Sequence, residues 1–143
     1  MILLDTNVVS EGWRPRPDPR VVAWLNAQPA NSIYLCTPVF AELRYGVERL
    51  DLTPRKERLR AWVDRLETET YPGRILALDL VATHEFGRLS AQRERIGRRM
   101  EPMDALIAAI ALTNNMTLAT RDTNDFADLG LDLINPFKTS ITR

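Results

Sequence analysis

Short apolar runs alternate with longer segments of helical pattern along the whole chain, and this alternation restricts the fold more than any other feature. The runs that predict strands are residues 2–4, 33–36, 75–78 and 117–119, with a weaker run at 133–134. They are continuously apolar rather than alternating, as expected for strands that are covered on both faces. The alternation of strands and helices predicts an α/β fold, with a central parallel sheet of about five strands flanked by helices. We expect it to form a single domain over residues 1–143.

Capping residues predict where several of the helices begin. Thr37 and Thr53 each precede a proline, which suits the first position of a helix. Asp79 caps a further helix, whose apolar face extends to Ile96. Pro102 opens a short and very apolar helix that ends near residue 113.

Composition and charge exclude several classes of protein. The formal net charge is zero, which argues against bulk electrostatic attachment to nucleic acid. The single cysteine, Cys36, cannot form an internal disulfide, which favours a reducing compartment. The apolar run 105–112 is too short to span a bilayer, and residues 1–7 lack the basic start of a signal peptide. We therefore expect a cytoplasmic protein without a membrane segment.

Acidic residues fall where the predicted elements meet one edge of the sheet. Asp5 directly follows the first strand, and Asp122 comes just after the fourth. Ligands of doubly covered parallel sheets bind beyond the carboxyl ends of the strands, where the strand order reverses. Asp104 begins a helix that runs antiparallel to the strands, so its start reaches this edge only through the preceding loop. Glu42 lies roughly 60° from the apolar stripe of its helix and is half turned inward.

Each of these acids alone also fits an ordinary structural role. Asp5 and Asp122 suit strand-end caps, and Asp104 suits the positive end of a helix dipole. Glu42 suits an ion pair with an arginine such as Arg44. Together, however, four acids at one edge would repel one another unless cations lay between them. Oxygen ligands without histidine or cysteine favour Mg²⁺ or Mn²⁺.

Several other chemistries lack the residues that they need. His84 and Cys36 are the only side chains of their kind, which is too few for a zinc site or for a two-histidine ribonuclease. We interpret His84 as a solvated residue on a polar helix flank. The chain has no Walker phosphate loop and no glycine-rich dinucleotide motif, so nucleoside triphosphate chemistry is unsupported.

Four ordered motifs and a closing tripeptide resemble those of the PIN-domain family. They are L-L-D-T-N at 3–7, T-P-V-F-A-E-L-R-Y-G at 37–46, M-D-A-L-I-A-A at 103–109, L-A-T-R-D-T-N-D-F at 118–126 and I-N-P at 134–136. The resemblance covers nearly the whole chain. Within the family it is to the VapC-type toxins, and most closely to the FitB-like branch.

The resemblance implies a three-layer PIN-like sandwich and a Mg²⁺- or Mn²⁺-dependent endoribonuclease that cleaves single-stranded RNA, as the toxin of a type II toxin–antitoxin pair. The catalytic and metal-binding residues that it implies are Asp5, Glu42, Asp104 and Asp122. The residues that match supporting positions are Thr6, Asn7, Thr120, Asn124 and Asp125. It also implies a homodimer and a ribbon-helix-helix antitoxin that blocks the acidic pocket and carries the complex to promoter DNA.

Arginines crowd residues 88–99, just before the third motif. Of these, we expect Arg95, Arg98 and Arg99 to bind RNA phosphates beside the acidic pocket. The same segment also fits a solvated helix end that pairs with neighbouring glutamates, or a contact with the antitoxin.

The segment around Trp13 has two interpretations as well. Trp13 lies beside Arg14 and Arg16, and in that setting it can stack an RNA base. Alternatively it packs in the core or in a dimer interface, which is the interpretation that we favour.

Three other functions remain as alternatives. A PIN-like nuclease can act on DNA or structured nucleic acid, but the flap nucleases of this kind need a helical arch for which the chain has no room. A non-catalytic Mg²⁺-binding signalling module needs a lysine near the last strand, and the candidate Lys138 falls after Pro136. A pure binding or repressor subunit does not need the intact set of four acids.

Overall fold

Five parallel strands form the centre of the fold in the computed structural model, which describes residues 1–138. Their bounds are β1 Ile2–Leu4, β2 Ile33–Cys36, β3 Ile75–Leu76, β4 Thr117–Ala119 and β5 Leu133–Ile134. They lie in the order β3-β2-β1-β4-β5, and every neighbouring pair is parallel. The predicted α/β fold with a parallel sheet of about five strands is confirmed.

The strand order reverses at β1. The chain builds the sheet outward from β1 through β2 to β3, and then crosses to the other side of β1 to add β4 and β5. Leu4 pairs with Ala119 where β1 and β4 end, and the Asp5 N–H extends this pairing by donating to the Ala119 carbonyl at 2.9 Å. The carboxyl ends of β1 and β4 therefore form the crevice in which parallel sheets bind their ligands.

Six α-helices within residues 1–138 connect or flank the strands. Their bounds are α1 Thr6–Val9, α2 Pro19–Ala27, α3 Thr37–Glu48, α4 Pro54–Arg65, α5 Leu80–Arg95 and α6 Pro102–Thr113. Short 3₁₀ turns occupy Ser10–Trp13, Ala30–Ser32 and Thr123–Phe126, and a π-helical turn follows α4 at Leu66–Thr70. No helix in this part of the chain is both long enough and apolar enough to cross a membrane.

The side chains at the helix starts confirm two predicted caps and correct a third. Thr53 and Asp79 cap α4 and α5 through their side chains, as predicted. The prediction that Thr37 caps α3 is wrong, because Thr37 is the first residue of that helix and its hydroxyl accepts the Leu78 N–H at 3.1 Å. This hydrogen bond occupies the Leu78 N–H, so Leu78 lies outside the sheet and the third strand ends at Leu76.

Helix α6 lies in the middle of the core, and it fixes one part of the crevice. The residues of α6 that are at most 1% exposed are Ala105, Ile107, Ala108, Ala109, Ile110 and Ala111. Helices α3 and α5 and strand β4 all pack against it. A helix that is buried on most of its surface cannot shift without disturbing the core. Asp104, in its first turn, is therefore held in a defined place.

The structure also shows the packing and exposure of four other side chains that were considered from the sequence. Trp13 packs against Trp62 with the ring centroids 5.8 Å apart, which agrees with the packing interpretation. His84 is exposed, as expected. Ile96 lies beyond the end of α5 and is 51% exposed, so the prediction that it continues the apolar face is wrong. Burial raises the pKa of the Cys36 thiol to about 12, which leaves it protonated and unreactive.

Candidate active site

The four acids of the sequence motifs line one pocket at the carboxyl end of the sheet. The pocket has a volume of about 360 Å³. Each acid comes from a different element: Asp5 follows β1, Glu42 lies in α3, Asp104 lies in the first turn of α6, and Asp122 follows β4. The structure therefore brings together residues that are far apart in the sequence.

Asp5 is the most deeply placed of the four acids, with 5% of its surface exposed. Its Oδ1 accepts the Thr6 N–H at 2.8 Å, and its Oδ2 accepts the Thr120 hydroxyl at 2.7 Å and the Asn7 amide at 3.3 Å. Burial raises the pKa of Asp5, the bonds from Thr120 and Thr6 oppose that rise, and the charges of nearby acids add to it. Asp5 is thus a buried carboxylate that its neighbours hold in one orientation.

Thr120 and Asn7 join the ends of the two central strands. Thr120 is fully buried, and besides donating to Asp5 it accepts the Asp122 N–H at 3.0 Å. Asn7 donates to Asp122 Oδ2 at 3.0 Å and accepts the Arg121 N–H at 3.1 Å. These two supporting residues fix Asp5 and Asp122 relative to each other.

Glu42 is half-buried and is held by a neutral partner. The Thr6 hydroxyl donates to Glu42 Oε1 at 2.5 Å. Arg44, the arginine that an ion-pair interpretation would assign to Glu42, pairs instead with Asp64 at 2.6 Å. Glu42 therefore lines the pocket without a salt bridge within residues 1–138.

Asp104 has the least compensated charge of the site. Desolvation, followed by the negative charges of the surrounding acids, raises its pKa to about 7. The acids that contribute are Asp5, Asp125, Glu42 and Asp122. The Asp104 side chain forms no hydrogen bond and no ion pair within residues 1–138. A half-buried carboxylate in this position is stabilised by a proton or by a cation.

The last two predicted supporting residues, Asn124 and Asp125, do not line the acidic pocket. Asp125 and Arg99 line a separate small cavity of about 110 Å³, which Asp104 also borders. Asn124 is exposed and does not line the acidic pocket, and its backbone carbonyl accepts a bond from Arg98 at 3.0 Å. The structure thus places Asp125 close to the site and leaves the Asn124 side chain outside it.

Two arginines of the arginine-rich segment, Arg93 and Arg98, contact the turn after β4, whereas Arg88 pairs with the neighbouring Glu85. Arg98 pairs with Asp128 at 2.5 Å rather than with a neighbouring glutamate. Arg93 is buried and donates to the carbonyls of Asp125, Ala127 and Arg98. Arg95 is exposed at the end of α5. Of the three arginines predicted to bind RNA, only Arg99 lies in a cavity that adjoins Asp104.

Three charged residues of the pocket were not singled out as site residues from the sequence. They are Glu11, Arg14 and Arg121. Glu11 is 5% exposed, and it pairs with Arg14 at 3.2 Å. A sequence indication existed, because Glu11 follows the buried Val8 at helical spacing and therefore points inward.

The donor set of the pocket suits a hard divalent cation. Carboxylates, with hydroxyl and amide groups behind them, are the ligands that Mg²⁺ and Mn²⁺ prefer. Among residues 1–138, no three acidic, histidine or cysteine side chains lie close enough together to hold a metal ion as they stand. Like charges keep uncompensated carboxylates apart, and hydrogen bonds from Thr6 and Asn7 hold three of the four in place. A divalent cation would supply the charge that this pocket lacks.

Comparison with known proteins covers almost the whole chain. Residues 2–131 match the PIN domain family. The VapC ribonuclease Y4jK of Sinorhizobium fredii is 41% identical over 141 residues, and the toxin FitB of Neisseria gonorrhoeae is 36% identical over 137 residues. Each alignment covers 96% of this chain and 99% of the relative.

The fold is also similar to that of solved structures. A chain in the structure of FitAB bound to an IR36 DNA fragment superposes on this one with a TM-score of 0.90, at 35% sequence identity. The superposition covers 100% of both chains. The likeness therefore extends beyond the motifs to the complete arrangement of strands and helices.

Proposed function

The chain belongs to the PIN domain family, and from this premise we propose that it is a divalent-metal-dependent endoribonuclease that cleaves single-stranded RNA. The observation that carries the proposal is the set of four carboxylates, from four separate elements, around one pocket of about 360 Å³. The relatives named as a ribonuclease and as a toxin are similar over nearly their whole length. We take residues 1–143 as one nuclease domain that acts in the cytoplasm.

The residues that would hold Mg²⁺ or Mn²⁺ are Asp5, Glu42, Asp104 and Asp122. When bound, such an ion lowers the pKa of a water molecule and neutralises charge that develops on the phosphate. The protein's own contribution is to keep the carboxylates in place. Thr120 and the Thr6 N–H orient Asp5, Asn7 orients Asp122, and the Thr6 hydroxyl orients Glu42. Preorganised groups of this kind need not rearrange when charge develops.

Asp104 has a particular part in loading the site. Its pKa of about 7 means that its carboxyl group carries a proton in a large fraction of metal-free molecules near neutral pH. A metal ligand must be deprotonated. Asp104 would therefore have to lose its proton before it could hold a cation, and we expect the affinity for the cation to rise with pH up to about 7.

We further propose that the protein is the toxin of a type II toxin–antitoxin pair and forms a homodimer. Its partner is a ribbon-helix-helix antitoxin that inhibits the nuclease and carries the complex to promoter DNA. The similarity to a chain of the DNA-bound FitAB complex, at 35% identity over the full chain, supports this assignment. An antitoxin that places a cationic side chain in the acidic pocket would compensate the same carboxylates as a metal ion does.

The test is cleavage of single-stranded RNA by the purified protein with Mg²⁺ or Mn²⁺ and with EDTA. Asp5→Asn and Asp104→Asn should each lower the cleavage rate by about 10²-fold or more, because each removes a ligand charge from the site. Asp51→Asn is the matched control, since Asp51 is an exposed acid in the loop after α3. Activity that persists in EDTA, or a normal rate in both site variants, would contradict the proposal.

A further inference from the structure

A second cavity lies directly beside the acidic pocket. It has a volume of about 500 Å³, and it shares Glu11, Arg14 and Arg121 with the lining of the pocket. Its cationic lining residues are Arg14, Arg16, Arg20 and Arg121. We call this cavity the basic groove. None of the four carboxylates of the acidic pocket lines this groove.

The basic groove carries a net positive charge. Its lining contains four arginines and two acids, Glu11 and Asp18. Each of the two acids pairs with one arginine. Arg16 and Arg121 have no carboxylate partner within residues 1–138. Guanidinium groups without a carboxylate partner attract phosphate and offer it two parallel hydrogen bonds.

Glu11 holds the wall of the basic groove in a fixed shape. Its Oε1 accepts the Asp18 N–H at 2.8 Å, and its Oε2 accepts a bond from Arg14 at 3.2 Å. The segment 14–18 between these contacts contains two prolines, which restrict its backbone further. The Arg14 side chain nevertheless remains 59% exposed. The groove is thus preorganised, and a ligand does not have to order it on binding.

Arg121 gives the basic groove a surface for stacking. Its guanidinium lies over the ring of Phe137, 5.0 Å from the centroid. Phe137 is 8% exposed while Arg121 is exposed, so the ring supports the guanidinium from the protein side. Unpaired RNA bases stack on guanidinium planes as well as on aromatic rings. Because Arg121 directly precedes Asp122, this surface adjoins the acidic pocket.

We propose that the basic groove binds the nucleotides of single-stranded RNA that flank the phosphate at the acidic pocket. Arg14 and Arg16 contact backbone phosphates, and Arg121 stacks an unpaired base. The inference rests on the proposed ribonuclease function, because RNA has to be the substrate. A base inside a duplex is already stacked and cannot reach the Arg121 surface, so this contact favours single strands.

The test measures the affinity for a labelled single-stranded RNA oligonucleotide at several salt concentrations in Mg²⁺ buffer. All proteins carry Asp104→Asn, so that bound RNA stays intact. The variant R14Q/R16Q removes two positive charges from the basic groove and keeps a polar side chain at both positions. Melting curves establish that each variant is folded.

A matched control removes the same charge elsewhere. R55Q/R58Q changes two exposed arginines at the start of α4, beside a different cavity. A third variant, R121K, keeps the positive charge of the basic groove and removes the planar group.

For R14Q/R16Q we expect the plot of log affinity against log salt to become shallower by about 1.4, because two phosphate contacts are lost. At about 0.1 M salt this change lowers the affinity by roughly 25-fold, if the affinity extrapolated to 1 M is unchanged. R55Q/R58Q should leave the slope as it is. R121K should keep the slope and lower the affinity by about 5-fold or more at every salt concentration.

An unchanged slope for R14Q/R16Q, or an equal change for R55Q/R58Q, overturns the proposal. The proposal is also overturned if R14Q/R16Q binds RNA normally but no longer binds the purified antitoxin, because the groove then serves the antitoxin. Cleavage by the protein with Asp104 intact is measured in parallel. If that protein cleaves RNA while R14Q/R16Q binds like its parent, the groove assignment alone fails. If the protein with Asp104 intact neither cleaves nor binds RNA, both the groove assignment and the proposed ribonuclease function fail.

Discussion

Replacing Asp104 with asparagine should stabilise the protein in metal-free solution at neutral pH. Desolvation and the charges of nearby acids raise the Asp104 pKa from 3.8 to about 7, so its ionised form is unfavourable in the folded state. Asparagine has nearly the same shape and no charge. The side chain has no hydrogen bond within residues 1–138, so the substitution removes the repulsion without breaking a contact there.

The size of the effect follows from the shift in the Asp104 pKa. The difference between about 7 and 3.8 is about 3 units, which for an isolated buried group corresponds to roughly 4 kcal/mol in the free energy of unfolding. Asp104 is only half-buried, and water screens part of the repulsion. We therefore expect a gain of about 1–2 kcal/mol at neutral pH.

The pH dependence has a definite direction. Between pH 3.8 and about 7 the folded wild type binds more protons at position 104 than the unfolded chain does. The contribution of Asp104 to the free energy of unfolding therefore falls as pH rises through this window. The penalty is absent below pH 3.8 and complete above about pH 7, and the advantage of Asp104→Asn should follow the same course.

Other acids have the opposite effect on the raw pH profile. The Arg60 side chain lowers the pKa of Glu48, and the Arg88 side chain lowers that of Glu85. Such groups contribute stability at high pH and lose it as pH falls. Because both proteins contain them, they cancel in the difference between wild type and Asp104→Asn.

A divalent cation should reverse the order of the two proteins. At a free concentration one hundred times its dissociation constant, a ligand that binds only the folded state stabilises it by about 2.7 kcal/mol. This exceeds the expected advantage of the variant, which lacks one charged ligand and binds the ion weakly. Wild type should therefore be the more stable protein in saturating Mn²⁺ above pH 7.

Urea unfolding of both proteins from pH 4 to pH 8, in EDTA and in Mn²⁺, measures these differences. Asp51→Asn again serves as the control, because it makes the same chemical change at an exposed site. Equal stability of wild type and Asp104→Asn at every pH in EDTA would show that neighbouring charges do not repel the Asp104 carboxylate. If Mn²⁺ then fails to favour wild type, Asp104 is not a metal ligand.

Two further substitutions test the supports of the site. Thr120→Val should lower the free energy of unfolding by about 1–3 kcal/mol, because it removes one hydrogen bond from the buried Asp5 carboxylate and leaves the Asp122 N–H without its acceptor. Denaturation of Thr117→Val, in the same strand, is the comparison, and equal losses would contradict the role of the Thr120 hydroxyl. Arg93→Met should cost about 2–4 kcal/mol, because it leaves three carbonyls without their donor. Hydrogen exchange should show faster exchange around Thr123–Phe126 in Arg93→Met but not in Arg95→Met, and similar protection in both would contradict this assignment.

The strands were predictable because their apolar runs coincide with the part of each strand that is buried. Four of the five predicted strands have the observed bounds, and the exception is β3. Its end depends on the Thr37 hydroxyl, which binds a backbone N–H 41 residues away. Local pattern carries no information about a contact of that range, so Thr37 was predicted as a helix cap.

The placement of the acids was predictable for a similar reason, whereas the arginine contacts were not. Asp5 and Asp122 follow strands that end at the same edge, so topology alone brings them together. Arg98, by contrast, pairs with Asp128, 30 residues along the chain. The partner of a long cationic side chain is set by tertiary packing, and from the sequence Arg98 looked no different from Arg99.

The alignment of β1 with β4 has a consequence for the timing of activity during synthesis. The Thr120 hydroxyl reaches Asp5 across 115 residues of chain, and the strand that aligns Asp5 with Asp122 is the fourth of five. A nascent chain that still lacks residues beyond 119 has three of the four carboxylates, but it lacks Asp122 and the Thr120 hydroxyl that orients Asp5. Contacts of such long range also form late in folding. A protein that cleaves RNA would thus remain inert while the ribosome is making it, and would become active only after β4 has emerged and docked.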